Sequence, residues 1–418
     1  MKKIKMSLVA AIAAAAATTG ANAGALDSIL SNPKLDLELR PRYEYVDAST
    51  ANDAKAFTIR TALGAQFGLF GVNGLNAQIQ GMSVDNFGLV TDYDPENTAY
   101  PKVLDGTQAR VTQANISYAK NGFVGILGRK MVVLDNARFI GNVGWRQMPQ
   151  TYDLAAGIYN YDKLSVLAAY VTQVNRIFNT DGDSLTSNKL STGTVLLHAT
   201  YKAMPALTLT AYDYMIQNFA DHIGIRATGK INAGSVKLAY EAEYAKQNDP
   251  TLDDSNEPLV PGTLTMYTKQ DADYYKLGLS ATMSGFTVGA AYEVLGEASG
   301  DGQREFYTPL ATLHAMNGWA DVFATGTKDN LSGLTDASVK LAYNAGKFGK
   351  LVTVYHKFES DAGSTDYGTE IDAAYNFKIN KNLGLLLKGA WFDADANGGY
   401  TDTTKYWVQL DYKFSAKL

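Results

Sequence analysis

The stretch LDLELRPRYEYV, Leu35 to Val46, puts Leu35, Leu37, Leu39, Pro41, Tyr43 and Tyr45 on one side of an extended chain and Asp36, Glu38, Arg40, Arg42 and Glu44 on the other. A repeat of two is the signature of a strand. The length is close to the roughly 9 to 11 residues a tilted strand needs to cross a bilayer, against about 5 to 6 for a strand of a globular protein. The same pattern returns in FTIRTALGAQF, where Phe57, Ile59, Leu63, Ala65 and Phe67 oppose Thr58, Arg60 and Gln66, and in VKLAYEAEY, where Val236, Leu238, Tyr240, Ala242 and Tyr244 oppose Lys237, Glu241 and Glu243. Tyr275, Leu277, Leu279, Ala281 and Met283 repeat it, and so do Tyr367, Thr369, Ile371, Ala373, Tyr375 and Phe377 against Glu370, Asp372 and Asn376. One face suits lipid and the other water. Ala109 to Tyr118, Val124 to Val133 and Leu164 to Val174 alternate poorly and receive no facing.

The connections between these segments alternate in length. Short ones such as Gly68 to Gly74, Asn121-Gly122, Asn160 to Lys163, Ala233-Gly234 and Ser284-Gly285 carry tight-hairpin residues. Between them lie longer polar stretches: Asp47 to Lys55, Asp85 to Gly106, Leu134 to Gln150, Arg176 to Gly193, Met215 to His222, Lys246 to Asp271, Gly296 to Gly333, Glu359 to Asp366 and Asp393 to Thr403. Strict alternation places all short turns at one end and all loops at the other, the layout of an outer-membrane barrel with short periplasmic turns and long extracellular loops. The tally predicts an all-β fold, a transmembrane antiparallel barrel of about 18 strands with both termini periplasmic. Unpaired backbone groups facing hydrocarbon cost several kcal/mol each, so the sheet must close. A cylinder this wide is not filled by its wall side chains, and its default function is passage through a hydrated bore.

The first residues agree. Lys2, Lys3 and Lys5, an apolar run from Met6 through Ala17, and Ala21-Asn22-Ala23 form a secretory signal peptide, residues 1–23, leaving 24–418 as one barrel domain. Loss of three lysines takes the net charge from −5 to −8, which excludes a basic nucleic-acid-binding surface. The exported chain has no cysteine, hence neither a disulfide framework nor a thiolate metal site. No G-x-S-x-G elbow or H-E-x-x-H pair occurs among His198, His222, His314 and His356, so neither an enzyme nor a cofactor or metal is expected. His314 is the one histidine placed to serve a loop-built catalytic group, and packing is its expected role. DADANGGYTDTT, from Asp393, has calcium-loop spacing but Thr404 where a glutamate is required.

One long connection stands out. DNARFIGNVGWRQMPQTYD, Asp135 to Asp153, mixes Phe139, Trp145 and Tyr152 with Arg138, Arg146, Asn142, Gln147 and Gln150 and has no period. So aromatic and basic a loop needs burial or a partner. It is expected to fold inward across the lumen, with Arg138, Asn142, Trp145 and Arg146 at the constriction and Arg40, Arg42, Arg60 and Arg129 along the lumen wall. A row of guanidiniums favours anions weakly, unless Glu38, Glu44, Glu370 and Asp372 neutralise it.

LGRK (Leu127 to Lys130) followed by LDNARFIGNVGWRQMPQTYD resembles the central block of the alginate-export and OprD-like porin family of Gram-negative outer membranes, and FYTPLATLHAMNGWADVF (Phe306 to Phe323) and YHKFESDAG leading to YGTEIDAAY are similar to it too. The resemblance implies an 18-stranded outer-membrane barrel with inward-folded loops and an arginine-bearing eyelet. Lys130, Met148-Pro149 and Val322 depart from the family pattern, so no substrate preference is carried over. The expected function is passive diffusion of small hydrophilic solutes. The alternatives are a dedicated exporter of an anionic polysaccharide such as alginate and a plugged barrel acting as a surface adhesin. Expected partners are outer-membrane lipid and lipopolysaccharide, the barrel-assembly machinery through the terminal strand Tyr406 to Phe414, and two further copies of the chain in a homotrimer.

Overall fold

The computed structural model describes residues 29–48, 52–252, 269–300 and 303–417, so the predicted leader, 1–23, lies outside the described residues. Of its 20 strands, two are two-residue additions, Thr91–Asp92 and Gln303–Arg304; the other eighteen run antiparallel in sequence order from Leu30–Asp47 to Thr403–Lys417. The last strand pairs with the first, Leu37 opposite Phe414 and Tyr43 opposite Val408, so the sheet is a closed barrel and the long ladder has no free edge.

The two-residue period decides which side chains meet which medium. On the first strand Arg40, Arg42 and Glu44 are buried inside, while Leu127, Ile225, Leu277 and Leu279 elsewhere in the wall are 60 to 66% exposed on the outside. Outward aromatics gather near both rims. Tyr161, Phe123 and the stacked pair Phe286 and Tyr343, 4.2 Å apart, lie at the turn end; Tyr244, Tyr275 and the pair Tyr45 and Tyr406, 5.9 Å apart, lie at the loop end. An apolar band between two aromatic belts is the exterior of a bilayer-spanning barrel.

The segments with poor alternation have a structural cause. Opposite Gln80 and Gly81 the ladder skips from Gln113 to Val111, leaving Thr112 as an extra residue whose hydroxyl donates to the Gln80 side chain. Thr172 is extra in the same way opposite Asp153 and Leu154. Each bulge slips the inside-outside code by one position. In the strand Phe123–Lys130 the pleat breaks at Gly128, which takes a φ of +114°.

One connection differs from expectation. Met215 to His222 is not a long loop: the strands Leu207–Ile216 and Ala220–Ala233 leave only 217–219 between them. Asn218 adopts a φ of +57°, closing a tight turn, and Phe219 is buried in the core. Connection length therefore alternates along most of the chain but not strictly.

Candidate functional site

The segment 131–150 runs inside the barrel. The Gln147 side chain donates to the carbonyls of Arg40 and Thr58, both on the inner wall, and Phe139 is buried with its ring 5.0 Å from Tyr212, 5.5 Å from Tyr274 and 6.0 Å from Phe306. A second inward segment, within 296–333, meets it. The Gly141 amide donates to the Leu310 carbonyl and the Thr312 amide to that of Ala137, while the Tyr152 hydroxyl donates to the Gly141 carbonyl. Gly141 permits this approach, since a Cβ there would stand 2.7 Å from the Thr312 nitrogen. The apolar cluster built by Phe139, Ile140, Phe306 and Leu310 with the inner wall fills part of the bore.

The arginines singled out in the sequence each lie beside a carboxylate. Arg146, 4% exposed, makes two 3.0 Å bonds to the Glu44 carboxylate and one of 3.0 Å to Asp321, with Asp105 at 3.9 Å. Burial opposes its charge, but Glu44, Asp105 and Asp321 outweigh it and hold its pKa above the ordinary value. Arg42 donates to Asp105, to Gln409 and to the Trp145 carbonyl; Arg40 to Asp411 and the Gly144 carbonyl; Arg60 to Glu38. Arg129 shares no partner with these three and binds both oxygens of Asp153, at 2.6 and 2.7 Å. Arg138 is fully buried 3.2 Å from Glu293, its guanidinium 5.6 Å from the Tyr274 ring centre. Asn142 is half-buried and accepts from the Gly144 amide, shaping the segment rather than presenting a free amide oxygen. Trp145 alone of the four puts a large half-buried surface beside a cavity of about 510 Å³, which Arg40, Gln409 and Asp411 also line.

The centre of the site includes residues to which the sequence reading gave no role. Lys388, from the strand Leu383–Ala394, lies 4.1 Å from the Trp145 ring centre, 3.7 Å from that of Trp319 and 5.3 Å from that of Trp407. Its ammonium is 2.6 Å from Nε2 of His314, whose ring stacks on Trp145 at 4.4 Å and whose Nδ1 is 2.7 Å from Asp321. These contacts fix the tautomer: Nδ1–H donates to Asp321, and Nε2 accepts from Lys388. His314 is thus a packed and hydrogen-bonded core histidine. Trp319 lines a second cavity, about 640 Å³, walled by Arg226, Glu241, Lys276, Asp336 and His356. The sequence did carry a signal for Lys388, a single charge in the apolar run LGLLLKGAWF, but its partners are loop residues remote in sequence. At the calcium-like loop, Asp395 and Asp402 accept from the amides of Asn397 and Ala394.

The buried histidine gives the site a pH response. Burial, with Lys388 and Arg146 beside it, holds the His314 pKa well below its ordinary value; at Asp321 burial acts upward, but His314, Lys405 and Arg146 outweigh it and hold the carboxyl well below the usual range. For a base whose docked pKa is depressed, proton uptake favours the undocked state, so docking is intact above about pH 6.5 and weakens as the pH falls. Limited proteolysis within 296–333 is therefore expected to accelerate between about pH 7.5 and about pH 5, and a His314→Gln variant to lose most of that dependence. A cleavage rate flat across that window in the unaltered protein would remove His314 from the docking equilibrium.

No family model matches the chain, and no curated protein does. Solved structures do. Pseudomonas aeruginosa OccK8 (OprE) is 16% identical with a TM-score of 0.69, covering 93% of this chain and 100% of that one. Acinetobacter baumannii OccAB2 is 16% identical with a TM-score of 0.71, covering 93% and 99%. OpdK, an outer membrane protein of Pseudomonas aeruginosa, is 14% identical with a TM-score of 0.68, covering 93% and 100%, and has also been solved with vanillate. The likeness is one of fold.

Proposed function

We propose that the chain is a porin of a bacterial outer membrane, through which small hydrophilic solutes diffuse down their gradients with no cofactor or energy input. The observation that carries this reading is the closed barrel with an apolar, aromatic-belted exterior and a charged interior holding cavities of about 640 and 510 Å³. The fold shared with an outer membrane protein supports the location. On this reading the short turns face the periplasm and the segments 131–150 and 296–333 enter from outside.

Trp145 and Arg40 stand beside open space and carry the constriction most directly, and Arg138, Arg146 and Asn142 shape it by holding the segment 131–150 in place. Arg40, Arg42, Arg60 and Arg129 line or buttress the wall. Each has a carboxylate partner, so these arginines add little net field and leave only a weak preference for anions such as small organic acids. That a similar barrel was solved with vanillate fits this class. Export of a polymer such as alginate is the lesser reading, because two inward segments bonded to each other narrow the bore to compartments suited to small molecules. The terminal strand Tyr406 to Phe414 is the proposed contact with the assembly machinery, and a homotrimer the proposed assembly.

Purified protein added to planar bilayers is expected to give stepwise currents, reduced by organic acids and uronates more than by neutral sugars. A protein that inserts and passes no current would overturn the diffusion reading in favour of a plugged surface protein.

A further inference from the structure

The two lumen cavities meet a common neighbour. Trp145 belongs to the wall of the smaller one and Trp319 to that of the larger, and the Lys388 ammonium sits within 4.1 Å of the first ring centre and 3.7 Å of the second. The three residues come from three separate parts of the chain: the inward segment 131–150, the inward segment 296–333 and the barrel wall.

We propose that Lys388, clasped between Trp145 and Trp319, is the septum that separates the two compartments and reads the charge of what crosses between them. The inference rests on the diffusion reading above. The arginines nearby end on carboxylates, Arg40 on Asp411, Arg42 on Asp105 and Arg146 on Glu44. Lys388 ends instead on ring faces and on the neutral Nε2 of His314, and among the described residues it has no carboxylate within ion-pair distance. Ring quadrupoles and an imidazole lone pair hold a cation without cancelling its charge. Lys388 is half-buried where Trp407 beside it is 1% exposed, and the indoles that hold it are the ones that front the two cavities. A lysine stem is flexible, and an anion arriving from either compartment draws the ammonium off the indoles; a cation meets a positive charge that no carboxylate touches. Asp321, which Arg146 and Lys405 also hold, and Asp372, which accepts from the Trp319 amide, remain close by, so removing the lysine charge leaves the site less positive.

The test uses single-channel recording of the full-length protein with three replacements at Lys388. Lys388→Met keeps the bulk and removes the charge: conductance is expected to stay near the original, while the anion-to-cation permeability ratio from reversal potentials falls roughly threefold or more. Lys388→Ala removes the partition, and conductance is expected to rise about twofold. Lys388→Arg is expected to keep the original selectivity. Trp319→Leu tests the clasp with the lysine in place and is expected to raise conductance while leaving selectivity unchanged. An original reversal potential in Lys388→Met, or an original conductance in both Lys388→Ala and Trp319→Leu, overturns the septum while leaving the channel intact. Absence of current in the unaltered protein overturns the diffusion reading and the septum with it.

Discussion

Replacing Arg146 by alanine is expected to free the two inward segments from each other and turn a narrow channel into a wide, noisy one. The guanidinium bridges Glu44 on the first strand and Asp321 on the segment 296–333, each at 3.0 Å, while its own backbone belongs to 131–150. Three parts of the chain converge on one planar fork, which a lysine ammonium cannot imitate. Truncation leaves Glu44, 1% exposed, without its ion-pair partner, and deprives Asp321 of one of its cations. Removing one partner of a buried pair costs about 3 to 5 kcal/mol, far more than the pair itself contributes over an apolar substitute. That cost falls on loop docking and not on the barrel, whose ladders do not involve Arg146. Faster proteolysis at neutral pH, larger conductance and an unchanged heat-resistant barrel band on electrophoresis are expected together. The combined Arg146→Met and Glu44→Gln variant is expected to recover much of the docking, because no charge is then left buried alone. If Arg146→Ala reproduces the original current trace, the bridge does not hold the segments.

How far the sequence led depends on the range of the interaction involved. The faces of the wall were legible because the pleat assigns them locally: Arg40, Arg42 and Arg60 are inside, as the alternation around Leu35 to Val46 and Phe57 to Phe67 requires. What those arginines touch was not legible. Arg40 finds Asp411 at a separation of 371 residues, and Arg146 finds Asp321 at 175. Phe139 and Trp145 announced themselves as aromatics that a solvated loop does not keep, and both are packed inside. The bulges at Thr112 and Thr172 had no residue-level sign, since threonine suits a regular strand equally well. The turn at 217–219 was overestimated because Asn218 and the polar residues around it resemble a loop, whereas the flanking strands run on into it. Lys388 was overlooked for the opposite reason: a lone lysine among leucines reads as noise until closure brings two inward segments to it.

Deleting the last strand is expected to abolish the protein altogether, while trimming its tail is not. Thr403–Lys417 pairs on one side with Leu383–Ala394, from Leu383 opposite Tyr412 to Phe392 opposite Thr403, and on the other with the first strand, from Lys34 opposite Lys417 to Asp47 opposite Thr404. Removing it opens two edges at bilayer depth, where each unpaired amide or carbonyl costs several kcal/mol and no water repairs the loss. Stabilities of folded chains are about 5 to 15 kcal/mol, so a few such groups exhaust the margin. A chain ending at Asp402 is expected to give no heat-modifiable band and no conductance and to be degraded before assembly. Ending the chain at Phe414 removes only the pairs of Asp36 with Ser415, Leu35 with Ala416 and Lys34 with Lys417, at the turn-end rim where water can satisfy the backbone. That variant is expected to assemble at or above the original level, since, on the proposed contact with the assembly machinery, Phe414 then becomes the terminal aromatic. Loss of the barrel in the shorter trim would mean that the four-residue tail, and not closure alone, decides whether the cylinder forms.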